Sequence, residues 1–209
     1  MGVLELTTTA KRIVTVFGSS RPREGDAEYR LAYEVGRELA RAGFTVCNGG
    51  YAGIMEASAR GAKEADGATL GVVADIFAGK RANAWIDTTI VTKTLIERMM
   101  ELVSQGDAYV ILKGGTGTLL ELAAVWEFMN KGMMREKPIV VVGSFWDGVL
   151  HTLKEELAWE GLDNCTKYVT TATSPRACAS FIQQQLGKDA DGKQATRDQT
   201  SAGYRRPGL

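Results

Sequence analysis

The sequence has few of the residues that build metal centres and disulfide frameworks. It contains one histidine and three cysteines among 209 residues, and Cys47, Cys165 and Cys178 are far apart, without a CxxC pair. Widely spaced cysteines are typical of structural thiols in a reducing compartment. We therefore predict a cytoplasmic protein without a metal site. His151 lies away from the glycine-rich loops described below and has no predicted catalytic role.

Net charge and long apolar runs are also absent. The 25 lysines and arginines balance the 25 aspartates and glutamates, so no bulk field attracts the chain to nucleic acid or to a membrane. No apolar run approaches the roughly 18–20 residues that a membrane-spanning helix requires. Residues 1–11 are rich in threonine and lack the apolar core of a signal peptide. We expect a soluble protein whose partners include neither nucleic acid nor a membrane.

Glycine is abundant, with 24 residues against 4 prolines, and the chain alternates between apolar strand-like runs and amphipathic helical patterns. This alternation predicts the α/β class, as a single Rossmann-like domain with a mostly parallel open sheet and helices on both faces. The domain is predicted at 12–186, between a flexible N-terminus at 1–11 and a disordered tail at 187–209. The helix after the fifth strand is predicted from about Thr118 to Asn130.

Three loops rich in glycine or serine follow predicted strands. Ligands of open α/β sheets bind at the carboxyl ends of the strands, near the point where the strand order reverses. We therefore expect these loops to meet at one site. They are Gly18-Ser19-Ser20, Gly49-Gly50-Tyr51-Ala52-Gly53 and Gly114-Gly115-Thr116-Gly117-Thr118.

The third loop is the most informative. Consecutive glycines let several backbone N–H groups point into one concavity, and the following helix adds its positive N-terminus. A tight turn would also need glycine, but five such residues between a buried strand and a helix favour a phosphate site. No Gly-Lys-Ser/Thr follows and GxGxxG is absent, which disfavours a Walker A site and a dehydrogenase. The predicted phosphate-binding residues are Gly114, Gly115, Thr116, Gly117 and Thr118.

Three further polar residues have two interpretations each. Glu121 follows Thr118 at the spacing of a helix capping box, and it is equally a candidate site carboxylate. Arg98 is either a ligand anchor or an exposed charge. Ser19 ends the first strand, where its hydroxyl reaches a ligand or stabilises a turn. The residues alone leave these alternatives open.

The stretch Glu97-Arg98, followed by Gly114-Gly115-Thr116-Gly117-Thr118-Leu119-Leu120-Glu121, resembles the signature of the LONELY GUY (LOG) family. Members of that family are cytokinin riboside 5′-monophosphate phosphoribohydrolases, often mislabelled lysine decarboxylases. The first two loops resemble the family's loops as well, and the similarity covers about 13–143. Three positions depart from the family pattern. Lys113 replaces the motif's proline, Met99 replaces the usual lysine and Glu56 stands where many members have glycine.

The resemblance implies hydrolysis of the N-glycosidic bond of an AMP-like purine nucleoside 5′-monophosphate, including N6-substituted, cytokinin-type nucleotides, to free base and ribose 5-phosphate. It places the 5′-phosphate on the Gly114 loop, with help from Ser19, and it implies Arg98 and Glu121 as catalytic residues. Glu121 would hold the ribose or the attacking water, and Arg98 would orient the base or the phosphate. It also implies no metal or organic cofactor, and a homodimer or higher homo-oligomer.

The alternative is a non-catalytic nucleotide or molybdenum-cofactor carrier, because the second loop is also similar to such proteins. Lys113 supports this alternative, since an added positive charge would strengthen phosphate binding. A decarboxylase dependent on pyridoxal phosphate is disfavoured, because no pattern for a Schiff-base lysine and its partner is found.

Overall fold

The structure is a computed structural model that describes residues 11–76 and 81–202, with side chains to residue 188. Strands and helices alternate along it. The strands are β1 (Ile13–Phe17), β2 (Thr45–Asn48), β3 (Thr69–Ala74), β4 (Thr88–Thr92), β5 (Ala108–Ile111), β6 (Ile139–Val142) and β7 (Val169–Ala172). The helices are α1 (Ala27–Arg41), α2 (Ile54–Lys63), α3 (Leu95–Gln105), α4 (Thr116–Asn130), α5 (Asp147–Trp159) and α6 (Pro175–Ala202), and a 3-10 helix at Asp163–Tyr168 precedes β7.

The seven described strands form one parallel sheet. Its order is β4-β3-β2-β1-β5-β6-β7, and every neighbouring pair is parallel. The chain builds outward from β1 to β4, then returns to place β5 on the other side of β1. The strand order therefore reverses between β1 and β5, where Val14 pairs with Ala108 and Phe17 pairs with Ile111. The predicted α/β class and parallel open sheet are confirmed.

The two faces of the sheet bury separate apolar clusters. Along β5, Ala108 and Val110 belong to one cluster, whereas Tyr109 and Ile111 belong to the other, as the two-residue period of a strand requires. Side chains of α1, α2 and α6 complete the first cluster, and side chains of α3, α4 and α5 complete the second. Helices therefore cover both faces, as predicted.

The last helix extends beyond the predicted end of the domain. The sequence places that end at 186, but α6 continues to Ala202, because the added segment contains lysine, glutamine and alanine, which favour helix, and no proline. Residues 187–202, which the sequence assigns to the tail, therefore lie in α6. Residues 203–209 lie outside the described part of the chain, as do residues 1–10 of the predicted flexible N-terminus.

Within the described residues, none of the helices combines the length and the apolar character that crossing a membrane requires. No group of histidine, cysteine, aspartate and glutamate side chains there is arranged to hold a metal ion. Cys47, Cys165 and Cys178 are buried free thiols.

Candidate active site

A cavity of about 890 Å³ opens at the carboxyl edge of the sheet, where β1 lies between β2 and β5. Its walls come from the loops after these three strands, from the first turns of α2 and α4, and from Arg98 of α3. This is the point where the strand order reverses, which is where ligands bind in open α/β sheets. The three loops singled out in the sequence therefore do meet at one site.

The N-terminus of α4 forms one wall of the cavity. The helix begins at Thr116, two positions before the predicted start, and Gly115 is its N-cap residue without a side-chain cap. In the first backbone hydrogen bond of the helix, the N–H of Leu119 donates to the carbonyl of Gly115. The N–H groups of Thr116, Gly117 and Thr118 have no intrahelical acceptor, as in any first turn. They lie at the cavity, where an anion would satisfy them.

The glycines of this loop have two different functions. A Cβ atom added to Gly115 or Gly117 would meet no atom within 4 Å, so both face open space. A Cβ atom on Gly114 would lie 2.2 Å from Oγ1 of Thr118. Gly114 does not line the cavity. Of the predicted phosphate residues, Gly114 therefore permits close packing, and the other four form the cavity wall.

The capping-box interpretation of Glu121 is wrong. The N-cap is Gly115, and Thr118 is already inside the first turn of α4, so Glu121 lies one turn too far along to return to the cap. Its carboxylate lines the cavity and is only partly exposed. Burial raises the pKa of Glu121 to about 7, and the nearby positive charge of Arg98 opposes this rise.

Arg98 is buried, with 8% of its surface exposed, so the exposed-charge interpretation is also wrong. Its Nε donates to the carbonyl of Val72 at 2.8 Å, and Nη2 donates to the carbonyl of Gly49 at 3.0 Å. The guanidinium carbon lies 5.2 Å from the ring centre of Tyr51. Burial lowers the pKa of Arg98, and the charge of Glu121 opposes that change.

The loop after β2 leaves room for this arginine. A Cβ atom on Gly49 would lie 1.7 Å from Nη2 of Arg98 and 2.7 Å from the sulfur of Met55. Only glycine fits there without displacing the guanidinium. Asn83 holds the same loop from the other side, because its side-chain amide donates to the carbonyls of Gly50 at 3.1 Å and Tyr51 at 2.8 Å.

Ser19 lines the cavity, and both of its predicted uses are compatible with the structure. Its Oγ accepts a hydrogen bond from the N–H of Arg21 at 3.1 Å, which stabilises a local turn. The hydroxyl proton is still able to donate to a ligand. The backbone of Ser19 joins the loops, since its N–H donates to the carbonyl of Lys113 and its carbonyl accepts from the N–H of Ile54.

Lys113 does not point into the cavity. Its Nζ donates to Oε1 of Glu28 at 2.6 Å and lies 5.6 Å from the ring centre of Phe145. The hydrogen bond from Lys113 lowers the pKa of Glu28. The positive charge that replaces the family's proline is therefore paired outside the site, and it does not add to the phosphate wall.

Five residues of the cavity wall had no predicted role. They are Arg21 and Arg81, whose side chains are exposed, and Asn83, Met55 and Glu56. Asn83 and Arg81 lie between β3 and β4, in a segment with no motif, so the sequence held no signal for them. Two tryptophans, Trp85 and Trp126, do not line the cavity. The indole N–H of Trp126 donates to the carbonyl of Cys165.

Comparison with known proteins shows which family this chain matches and which named proteins are similar to it. Residues 11–177 match the SLOG cluster4 family. A protein of Mycobacterium tuberculosis named cytokinin riboside 5′-monophosphate phosphoribohydrolase is 34% identical over 140 residues, which is 66% of this chain and 74% of that protein. A protein of Mycobacterium marinum with the same name is 33% identical over 146 residues, 68% of this chain and 77% of that protein.

Solved structures share the fold. The molybdenum cofactor binding protein from Rippkaea orientalis is 26% identical, with a TM-score of 0.66, and the match covers 84% of this chain and 98% of that one. The similarity therefore extends over nearly the whole of that protein.

Proposed function

This chain belongs to the SLOG cluster4 family, and on that premise we propose that it is a phosphoribohydrolase of the LONELY GUY type. It hydrolyses the N-glycosidic bond of an AMP-like purine nucleoside 5′-monophosphate and releases free base and ribose 5-phosphate. One observation carries this proposal. The same cavity contains the N-terminus of α4, whose first N–H groups have no intrahelical acceptor, and the carboxylate of Glu121. The two mycobacterial relatives bear the name of this activity.

The N-terminus of α4 binds the 5′-phosphate. The N–H groups of Thr116, Gly117 and Thr118 supply hydrogen bonds, and the helix dipole adds a partial positive charge. No acidic residue lies in this first turn, so nothing there opposes an anion. The hydroxyl of Ser19, on the neighbouring loop, donates to the same phosphate.

Glu121 acts on the ribose, one helical turn beyond the phosphate. Breaking the C1′–N bond leaves the electron pair on the base and builds positive charge on the ribose, which a nearby carboxylate stabilises. The same carboxylate accepts a proton from the water that attacks C1′. The base takes up a proton from solvent as it leaves, and Glu121 afterwards releases the proton of the attacking water to solvent. Arg98 orients the substrate through Nη1, for which no acceptor is found among the described residues.

The test is release of free base from AMP and from N6-substituted AMP analogues. We expect Glu121→Gln to lower turnover by about 10²- to 10⁴-fold, the usual contribution of a general base. Glu127→Gln on the same helix is the matched control, because Glu127 is exposed and pairs with Lys131. Equal rates in the wild type and in Glu121→Gln would contradict the proposal.

A second candidate is a carrier of a nucleotide or of the molybdenum cofactor that performs no turnover. The match to the Rippkaea orientalis protein favours it. Calorimetric binding of a nucleotide that is recovered chemically unchanged, together with no base release, would support the carrier. Against it, Lys113 is paired with Glu28 and adds no charge to the cavity.

We also propose that the protein acts in the cytoplasm as a homodimer or higher homo-oligomer. Several large apolar side chains on α3 and α4 are exposed, which suits burial against a second copy. They are Leu95, Ile96, Met100 and Leu120.

A further inference from the structure

Glu56 is a second carboxylate in the cavity that the proposed reaction does not use. It lies in the first turn of α2 and lines the cavity together with Ser20 and Met55. The hydroxyl of Tyr29 donates to its Oε1 at 3.4 Å, a long and weak contact. No other hydrogen bond or ion pair joins Glu56 to the described residues, so most of its acceptor capacity is free.

Two helix N-termini face this cavity, and they differ in charge. The first turn of α4 has no acidic residue, whereas the first turn of α2 has Glu56. A carboxylate at that position compensates the positive end of α2. In addition, the N–H of Ile54, the first residue of α2, already donates to the carbonyl of Ser19. An anion therefore binds at α4, and a group with hydrogen-bond donors fits at α2.

The sheet sets the distance between these two ends. β2 precedes α2 and β5 precedes α4, and both strands pair with β1. Their ends are therefore roughly 10 Å apart, twice the usual strand spacing. Residues at both helix ends line one cavity, so a nucleoside monophosphate with its phosphate at α4 and its ribose at Glu121 would bring its base to Glu56 if it lies across the cavity.

Most other polar groups near α2 are already occupied or only donate. Asn83 uses both its amide and its oxygen within the protein, since the amide donates to two carbonyls and the oxygen accepts from the N–H of Trp85. The hydroxyl of Tyr51 accepts from the N–H of Ala74 at 3.0 Å. Arg21 and Arg81 carry donors only. Beside the exposed hydroxyl of Ser20, Glu56 is thus the charged acceptor on this side of the cavity for a base bearing N–H donors.

We infer that Glu56 is the specificity-determining residue of this site, and that it accepts a hydrogen bond from the exocyclic amino group of the base. The protein then selects a 6-aminopurine nucleotide over a 6-oxopurine nucleotide, because a carbonyl oxygen facing the carboxylate is repelled and leaves it without a partner. This inference rests on the proposed function for its orientation of the nucleotide. Tyr29 is a positioning residue, because its hydroxyl donates to Oε1 of Glu56.

The experiment compares AMP with IMP, which differ at the 6-position and have the same phosphate and ribose. We expect the wild type to have a kcat/KM for AMP about 10- to 100-fold above that for IMP. Glu56→Gln removes most of this preference, since an amide is able to present either its oxygen or its N–H. Tyr29→Phe lowers the preference by a smaller factor, because it removes only the weak hydrogen bond to Oε1 of Glu56.

The matched control is the pair formed by Tyr33 of α1 and Glu64, the residue directly after α2, which lies outside the cavity with 2.5 Å between its oxygens. Glu64→Gln should retain the full preference for AMP. An unchanged AMP-to-IMP ratio in Glu56→Gln would overturn the inference, and so would equal use of both nucleotides by the wild type.

Failure of the proposed function is a separate result. If the wild type releases no base, calorimetric dissociation constants of AMP and IMP replace kcat/KM in the same comparison. A preference for AMP that Glu56→Gln abolishes would then support the inference for a binding protein. Equal binding of the two nucleotides, or no binding of either, would contradict it.

Discussion

At the scale of single residues, Glu121 has a proposed catalytic role and lies where burial disfavours its charged form. Burial raises its pKa to about 7, well above the 4.5 that is usual for a glutamate. Carboxylates with raised pKa values are typical of active sites. The same shift determines how both activity and stability depend on pH, and the two dependences have opposite signs.

The first prediction concerns activity. Glu121 must be ionised to stabilise a positive ribose or to accept a proton from water, and below about pH 7 it is protonated. We expect kcat/KM for AMP to rise about tenfold per pH unit below pH 7 and to level off above it. Steady-state rates between pH 5 and 9 measure this profile. A rate that falls with rising pH over this range would mean that Glu121 acts in its protonated form.

The second prediction concerns stability. Because the folded-state pKa of Glu121 lies above its unfolded value, the native state binds the proton more tightly, and stability decreases as pH rises from 4.5 to 7. Glu121→Gln should therefore raise the free energy of unfolding by about 1–3 kcal/mol at pH 8, and by much less at pH 4.5. Urea denaturation at the two pH values tests this. Glu127→Gln should show no such difference.

The third prediction concerns Gly49. Alanine there would place its Cβ against the guanidinium of Arg98, so we expect a loss of about 1–3 kcal/mol of stability, typical of an overpacked core, together with a loss of base release. The cost should fall when Arg98 is already replaced by alanine, because the clash is then removed. Additive effects in this double-mutant cycle, measured by urea denaturation, would contradict the proposed contact.

Single residues also show what the sequence could not reveal. Lys113 stands beside the phosphate loop in the sequence, and a role in binding was a reasonable hypothesis. Its partner Glu28 is 85 positions away, and only the fold brings α1 to the end of β5. Arg98 is buried for a similar reason, because its acceptors lie on Val72 and Gly49, in two other elements.

At the scale of elements, the sequence predicted a loop between β5 and α4, but it misplaced the start of α4. A buried strand followed by consecutive glycines indicated a phosphate site on physical grounds. The start was misplaced because Thr118 and Glu121 have the spacing of a capping box. The correction matters for function. It places Thr116, Gly117 and Thr118 inside the first turn, where their N–H groups are unpaired.

The fourth prediction belongs to this first turn. Gly117→Ala adds a methyl group in open space and replaces glycine by a better helix former, so stability should be unchanged or raised by up to about 1 kcal/mol. The methyl group occupies part of the space that the phosphate needs at the first turn of α4, so KM for AMP should rise at least several-fold. Thermal denaturation and steady-state kinetics measure the two effects. If neither stability nor KM for AMP changes in this variant, Gly117 does not form part of the phosphate-binding site.

At the scale of the whole molecule, the alternation of strands and helices was sufficient to predict the α/β class and the parallel sheet. Local patterns do not encode strand order, which depends on how β5 returns beside β1. The reversal of order at that point creates the cavity. The sequence therefore identified the loops of the site, whereas residues between the motifs, such as Asn83 and Arg81, entered it only through the fold.

The fifth prediction is the assembly state. If the exposed apolar side chains of α3 form the contact between copies, Ile96→Glu should convert the oligomer to a monomer, because it buries an unpaired charge. Met133→Glu is the control, since Met133 is also highly exposed but lies after the end of α4. Sedimentation velocity distinguishes the species. A monomeric wild type would exclude the proposed homo-oligomer.

The buried position of Arg98 also bears on how sequences of this fold are classified. Its hydrogen bonds join β3 to the loop after β2 within the protein itself. A descendant that had lost its activity would still need the arginine in order to fold. Glu121, by contrast, weakens the fold at neutral pH, so its loss in such a descendant would carry no folding penalty. In a survey of genomes, the presence of Glu121 would therefore distinguish active enzymes from inactive relatives of the same fold. The presence of Arg98 alone would not.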